Sequence, residues 1–363
     1  MKKIFYLLTF LFINAVSFSQ NTFTVSGKII DAVTKMPMQA ASVSAQNTTI
    51  GTTTDNQGSF SLTLPNGGYN LVITYTGYET EFQRISTSDA DNKTLQIELK
   101  LKTKAMEDVA VKASNEVKNG WEQYGNFFLE NFIGKTANSR FCTIKNKDAI
   151  HFYFSKRKNR LKVLATEPVK IENLALGYNI SYALDSFTYD YATTTSLYTG
   201  VLLFEEMTTS DSIQKKTWEQ GRAAVYKGSL LHLMRSIYNK KLKEEGFEIQ
   251  FIAKAGTHET PIQLKDYYGA LNYDKDDSTQ SVEILPNQPE VAILFKQKPE
   301  ELYSIENPDE PKDFQLSVLS FTPGQSLIIE QNGFCYNEYD FIVNQYIGWK
   351  KMADLLPYNY MLQ

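Results

Sequence analysis

Apolar and polar residues alternate along Phe23-Thr24-Val25-Ser26-Gly27-Lys28-Ile29-Ile30-Asp31, the period of a half-buried β-strand. The same period returns in Ala41-Ser42-Val43-Ser44-Ala45 and in Phe60-Ser61-Leu62-Thr63-Leu64. It recurs in Tyr69-Asn70-Leu71-Val72-Ile73-Thr74-Tyr75 and in Leu95-Gln96-Ile97-Glu98-Leu99-Lys100-Leu101. Turn-forming clusters separate the runs: Asp55-Asn56-Gln57-Gly58, Pro65-Asn66-Gly67-Gly68 and Gly77-Tyr78. Short alternating strands at this spacing predict a mainly β N-terminal sandwich over residues 22–101.

The pattern then changes. Residues 102–114 read as a polar linker, and 115–363 as an α+β, mostly antiparallel C-terminal domain. Residues 116–134 carry Trp121, Tyr124, Phe128 and Phe132 at three- and four-residue steps, an amphipathic helix whose aromatic stripe packs into a core. Strands are predicted near 140–145, 149–155, 160–166, 169–174, 176–192 and 197–206. A helical stretch follows over 212–245. Further strands lie near 248–254, 280–284, 291–296, 316–321 and 326–330. A short helix occupies 347–356, and segments 285–290 and 298–313 read as loops.

The N-terminus reads as an export signal over residues 1–19. Lys2 and Lys3 precede an apolar stretch at 4–16, and Ser17 and Ser19 supply small residues before the mature start at Gln20. The stretch is too short and too polar to span a bilayer, and no later segment predicts a transmembrane helix. No cysteine follows the signal before Cys142, which excludes lipoprotein attachment. The expected location is periplasmic or outer-membrane associated, or secreted. In such a compartment Cys142 and Cys335 either close a loop of about 190 residues or remain two buried thiols. The disulfide would contribute at most roughly 5 kcal/mol. The strand-like context of Cys142 suits the thiols.

Composition narrows the function classes. The mature chain carries 35 basic and 41 acidic groups, net −6, which excludes a nucleic-acid partner. Three histidines and two cysteines leave no Cys/His zinc site. Aromatic residues reach 13%, as strand-rich cores favour.

The N-terminal run resembles the carboxypeptidase regulatory-like domain, a transthyretin-like sandwich of exported Bacteroidetes proteins. Gly27, Asp31, Thr34, Pro37, Ala41 and Val43 carry the resemblance. So do Gly51-Thr52-Thr53-Thr54-Asp55-Asn56-Gln57-Gly58-Ser59-Phe60, Pro65, Gly68-Tyr69 and Gly77-Tyr78. Ala40 stands where the family usually has Gly, so this loop is expected to differ in shape. The resemblance implies a non-catalytic appendage. His151, His232 and His258 are scattered, none opens a His-x-x-Glu pair, and no carboxypeptidase activity follows. The segment 105–113, with Glu107-Asp108-Val109-Ala110-Val111, is similar to the linker before the plug of TonB-dependent receptors. The remaining chain is too short for a plug and a large barrel. The C-terminal half is similar to an uncharacterised Bacteroidetes region through Glu172-Asn173-Leu174-Ala175-Leu176-Gly177-Tyr178 and Tyr226-Lys227-Gly228-Ser229.

Candidate chemistry is sparse. Gly134-Lys135-Thr136 lacks the first Gly of a phosphate loop, with Leu129 in its place, and reads as a helix end. Ser155-Lys156-Arg157-Lys158 reads as a basic hairpin turn. Residues 274–277 hold three acids without a complete calcium loop and read as a solvated turn. The best candidate is a helix over 222–238. Leu230, Leu233, Met234 and Ile237 form its buried side, and Arg222, Ser229, His232 and Ser236 a neighbouring polar stripe. No catalytic residue, metal or cofactor is assigned. Arg222, Tyr226, Ser229 and His232 are the candidate binding residues. The expectation is a non-enzymatic exported cell-envelope protein with an envelope protein or a glycan as partner. The sandwich serves as adaptor and the C-terminal domain as recognition module. The alternatives are an envelope hydrolase using this helix, or an accessory to TonB-linked transport.

Overall fold

The computed structural model describes residues 21–89, 94–102, 116–255, 258–336 and 341–362. The export signal and the 105–113 segment lie outside the described residues. The chain is mostly β, with two sandwich sheets followed by three antiparallel sheets and a few helices.

The N-terminal strands are β1 (Thr22–Asp31), β2 (Ser42–Ala45), β3 (Gly51–Thr53), β4 (Ser59–Pro65), β5 (Gly68–Thr74), β6 (Glu81–Ser86) and β7 (Leu95–Leu99). They form sheets β4-β1-β7 and β3-β2-β5-β6, with β1 antiparallel to β4 and parallel to β7. The predicted alternation sends Phe23, Val25, Phe60, Leu62 and Leu64 inward from one sheet. Val43, Leu71 and Ile73 meet them from the other. Burying each such side chain contributes about 1.5–3 kcal/mol. Strand β6 has no matching apolar period: Phe82 points outward and only Ile85 and Ser86 are buried.

The residues that carried the family resemblance shape the turns. Asp31 Oδ1 accepts from the backbone N–H of Val33 and Thr34, and Oδ2 accepts from the Tyr78 hydroxyl at 2.6 Å. The Thr34 N–H, the Tyr78 hydroxyl and the Val33 N–H hold the Asp31 carboxyl down at about 2. Ala40 adopts a left-handed backbone, φ 61°. The loop thus keeps a glycine-type conformation with a side chain that disfavours it by roughly 1–2 kcal/mol. Ala40→Gly is expected to raise stability by about 1 kcal/mol, read as a higher urea midpoint at unchanged m-value.

Helix α1 (Gly120–Phe132) lies on a six-stranded sheet of β8 (Cys142–Ile144), β9 (Ile150–Ser155), β10 (Arg160–Ala165), β11 (Val169–Asn173), β12 (Tyr178–Asp190) and β13 (Thr195–Glu206). The long β12 pairs with β13 along one edge and with β11 and β10 along the other. Phe128 and Phe132 are fully buried. Phe128 meets Phe187 edge-on at 5.2 Å and Phe132 meets Tyr182 at 5.3 Å. The aromatic stripe is core.

The remaining elements are α2 (Ser212–Tyr226), α3 (Leu230–Tyr238), β14 (Phe247–Ala255), β15 (His258–Gln263), α4 (Tyr267–Ala270), β16 (Asp274–Asp276), β17 (Ser281–Ile284), β18 (Glu290–Phe295), α5 (Glu301–Glu306), β19 (Gln315–Phe321), β20 (Leu327–Glu330), β21 (Cys335–Tyr336), β22 (Phe341–Asn344) and α6 (Gln345–Trp349). They build sheets β15-β14-β18-β19-β22 and β16-β17-β20-β21. These share a core with Leu233, Met234 and Ile237 of α3. Cys142 and Cys335 are not bonded to each other and belong to different clusters. No helix among the described residues is long and apolar enough to cross a membrane.

Several expectations change. The helical stretch over 212–245 is two helices, so residues 222–238 do not form one helix. Gly228 turns left-handed at φ 74°, Ser229 caps α3, and the chain leaves the helix at Asn239. The loop over 298–313 contains α5, and the helix over 347–356 is α6 followed by an extended Lys350 and a 3-10 turn at Met352–Asp354. Strands β3, β6, β15, β16, β21 and β22 arise where none was expected, β16 within the acidic segment 274–277 that reads as a turn. Segment 155–158 is the β9–β10 turn. Asp276 accepts hydrogen bonds from Ser278 and Thr279.

Candidate functional site

The break at Gly228 leaves Arg222 and Tyr226 on α2 and puts Ser229 and His232 at the start of α3. Arg222 stays on α2 and faces the β11–β12 turn. Its Nε donates to Leu176 O at 2.7 Å, Nη2 to Gly177 O at 3.1 Å and Nη1 to Glu206 at 3.2 Å. Its guanidinium stacks over the Tyr178 ring at 4.0 Å. Arg222 therefore binds α2 to the six-stranded sheet.

Tyr226, Ser229 and His232 do converge. Ser229 Oγ accepts from the His232 backbone N–H at 3.1 Å, an N-cap contact worth about 1 kcal/mol. The His232 ring lies 4.8 Å from Tyr226 and is 4% exposed. Its Nδ1 accepts from the Gly228 N–H at 3.1 Å, so the ring proton sits on Nε2, which donates to Glu245 at 3.0 Å. Burial pushes the imidazole below its ordinary value, against the opposing pull of Glu245. A general base needs a lone pair aimed at its nucleophile. The single lone pair of neutral His232 is held by a backbone N–H, and Ser229 is held as a cap. The pair is arranged for capping and packing.

Tyr226 and His232, but not Ser229, line a cleft of about 420 Å³. The opposite wall comes from the sandwich, through Asn21, Pro65 and Asn66. The turn at Gln331-Asn332 and the C-terminal segment from Tyr358 to Leu362 complete it. Arg235, absent from the candidate residues, organises the floor. Its Nε donates to Asn332 O at 3.0 Å, Nη1 to Tyr360 O at 2.8 Å and Nη2 to Tyr358 O at 2.9 Å. One guanidinium thus ties α3 to the turn and to the chain end.

Paired amides close the seam between sandwich and C-terminal region. Asn332 Nδ2 donates to Gly68 O at 2.9 Å, and its Oδ1 accepts from Gly68 N at 3.3 Å. Asn359 Nδ2 donates to Thr49 Oγ1 at 2.7 Å, and its Oδ1 accepts from Thr49 N at 3.1 Å. The β2–β3 loop extends the edge of β13: Asn47 N–H donates to Leu202 O at 2.8 Å and Phe204 N–H to Thr48 O at 3.0 Å. Beneath Gly68 lies Glu330, 2% exposed, whose Oε2 has no hydrogen-bond partner among the described residues. Burial drives its carboxyl up from 4.5 to about 7, while Tyr336 and Arg84 pull the other way. The Arg84 guanidinium stacks on the Tyr336 ring at 2.9 Å.

The Asn332-Gly333 pair is a turn signal that sequence reading can register. Nothing local announces that this turn meets Gly68. Arg235 looks like a solvated charge in the last turn of a helix, where cations are common.

Residues 25–111 match the family model described as a CarboxypepD_reg-like domain. No curated protein matches the chain. Among solved structures, a DUF3823 family protein from Bacteroides ovatus aligns at 13% identity, covering 52% of this chain and 83% of that one, TM-score 0.18. A 9R-lipoxygenase from Cyanothece aligns at 10% identity, covering 60% of this chain and 48% of that one, TM-score 0.14. At these scores neither likeness bears on fold or function.

Proposed function

We propose that the protein is an exported, non-enzymatic binding protein of the cell envelope, and that its recognition site is the cleft at the seam. The regulatory-like sandwich, residues 22–101, acts as an adaptor and supplies one wall. Residues 115–363 supply the rest. The partner is an envelope protein or glycan. The observation that carries this reading is the construction of the cleft. Paired amides and one guanidinium lock segments from both ends of the chain around an open space lined by both polar and apolar groups. A preformed concave site with a few convergent polar groups is what small-ligand and anchor recognition require. The engagement of Ser229 and His232 as cap and packing group favours binding over hydrolysis.

Gln331 is exposed on the cleft rim. Gln331→Trp is expected to fill the mouth without altering the melting temperature. The immobilised mature protein should retain an envelope component that this variant does not. Equal retention by both proteins would place recognition elsewhere.

A further inference from the structure

We infer that the end of the six-stranded sheet away from the seam docks on an anionic lipid surface. Two hairpin turns stand side by side there. The β9–β10 turn carries Lys156, Arg157 and Lys158, all exposed. The β12–β13 turn begins at Tyr191, whose backbone N–H donates to Asn159 O at 3.1 Å. Behind the turns, the strand register sets Tyr153, Lys162, Thr188 and Leu197 in one row across β9, β10, β12 and β13. Their neighbours Phe152, Val163 and Phe187 point into the core, so the row lies on the outer face of the sheet. Lys162 is exposed on it, and Leu197 is 68% exposed.

The charge at this end runs against that of the whole chain, which is net −4. Lys156, Arg157, Lys158 and Lys162 enter no ion pair among the described residues. The acids close to them are engaged. Asp190 accepts from Arg160 Nη2 at 2.6 Å, and Glu116 is held by His151 at 2.8 Å. A local positive field on an acidic protein orients it toward an anionic partner. A single small anion wants donors held in a fork or a nest. These cations are separate, flexible side chains on an exposed turn and an open sheet face. Such an array suits many phosphates spread over a surface. Tyr153 and Leu197 supply the second component. Tyrosine and leucine settle at the boundary of headgroups and acyl chains, while lysine stems keep their charge among the headgroups. Strand β13 runs from Thr195 at the turns to Leu202, which accepts from Asn47 at the seam. Docking at the turns therefore leaves the seam free, on the order of 20 Å away along the strand.

The test is co-sedimentation of the mature protein with phosphatidylcholine vesicles, with and without about one-third phosphatidylglycerol. Recovery is expected with the phosphatidylglycerol vesicles alone, and it should fall as added salt screens the charges. Two charge reversals of equal size locate the contact. Lys156→Glu with Lys158→Glu should weaken binding about tenfold or more. Lys215→Glu with Lys216→Glu changes exposed lysines of α2, which packs on the β11–β12 turn at the other end of β12. This pair should weaken binding less than about threefold. If the hairpin pair is poorly folded, Lys162→Glu on the outer face serves instead, with a loss of about fivefold. No recovery with anionic vesicles would overturn the inference, as would equal recovery with both vesicle types. Equal losses from the two lysine pairs would overturn it too, since net charge and not this end of the sheet would then govern binding.

Discussion

Gly68→Val is expected to lower the stability of the folded chain by about 3 kcal/mol and to disrupt the cleft. A Cβ at this position would stand 2.5 Å from Glu330 Cγ and 2.7 Å from the Tyr336 hydroxyl. Both neighbours are buried and neither can swing into solvent. Overpacking of this kind costs roughly 1–3 kcal/mol. The strain has one outlet, separation of the sandwich from the β20–β21 turn. Separation also breaks the two Asn332 hydrogen bonds to Gly68, leaving buried amide groups at a further cost of about 1–3 kcal/mol. Because Pro65 and Asn66 stand just before Gly68 and form the sandwich wall, the cleft widens as the seam opens. Urea unfolding should show the loss, and envelope retention should fall with it. Unchanged stability of Gly68→Val would mean that the two regions are not held together at this seam.

The second large effect concerns pH. The Glu330 carboxyl titrates at about 7 when folded, against an ordinary 4.5. The folded state therefore keeps a proton that the unfolded chain has already released. The resulting stabilisation is fully present below about 4.5, declines as pH rises through the window up to about 7, and is absent above it. A shift of this size corresponds to roughly 3 kcal/mol. The groups around the carboxyl are Arg84 and Asp89 from the sandwich side, and Tyr336, Tyr69 and Tyr238. Burial raises all three tyrosines to about 12 or beyond, so none titrates in this window. Glu330→Gln needs no proton to stay buried. It should match the wild type near pH 4 and exceed it by up to about 3 kcal/mol at pH 8. Urea midpoints at the two pH values measure this difference. Parallel pH profiles for the two proteins would contradict the assignment of Glu330 as the titrating group.

How much of this was legible in the sequence depended on the range of the interaction. The sandwich strands showed themselves because Phe23, Val25, Leu62 and Leu64 alternate with polar neighbours, and burial follows that alternation residue by residue. The stripe of Trp121, Tyr124, Phe128 and Phe132 predicted a packed helix for the same reason. The 222–238 helix misled because its apolar spacing continues past Lys227-Gly228-Ser229. Gly228 approaches Phe295 and Gln315, a distant contact that periodicity does not record. Ser229 is a good capping residue, so the break has a local signal once the glycine is given weight. The cleft was illegible for a different reason. Its defining contacts join Gly68 to Asn332 and Thr49 to Asn359, pairs separated by 264 and 310 residues. Short polar residues in turns carry no apolar period, so their tertiary partners leave no pattern along the chain.

The central claim is recognition at the seam cleft, and photo-crosslinking in the native envelope tests it most directly. A photoreactive phenylalanine analogue that inserts into C–H bonds would be placed at Gln331, with a control at Arg157 on the exposed β9–β10 turn. One dominant adduct, protein or glycan, formed from position 331 and not from 157, is the predicted result. Adducts equal in kind and yield from both positions, or none above background from 331, would contradict the account.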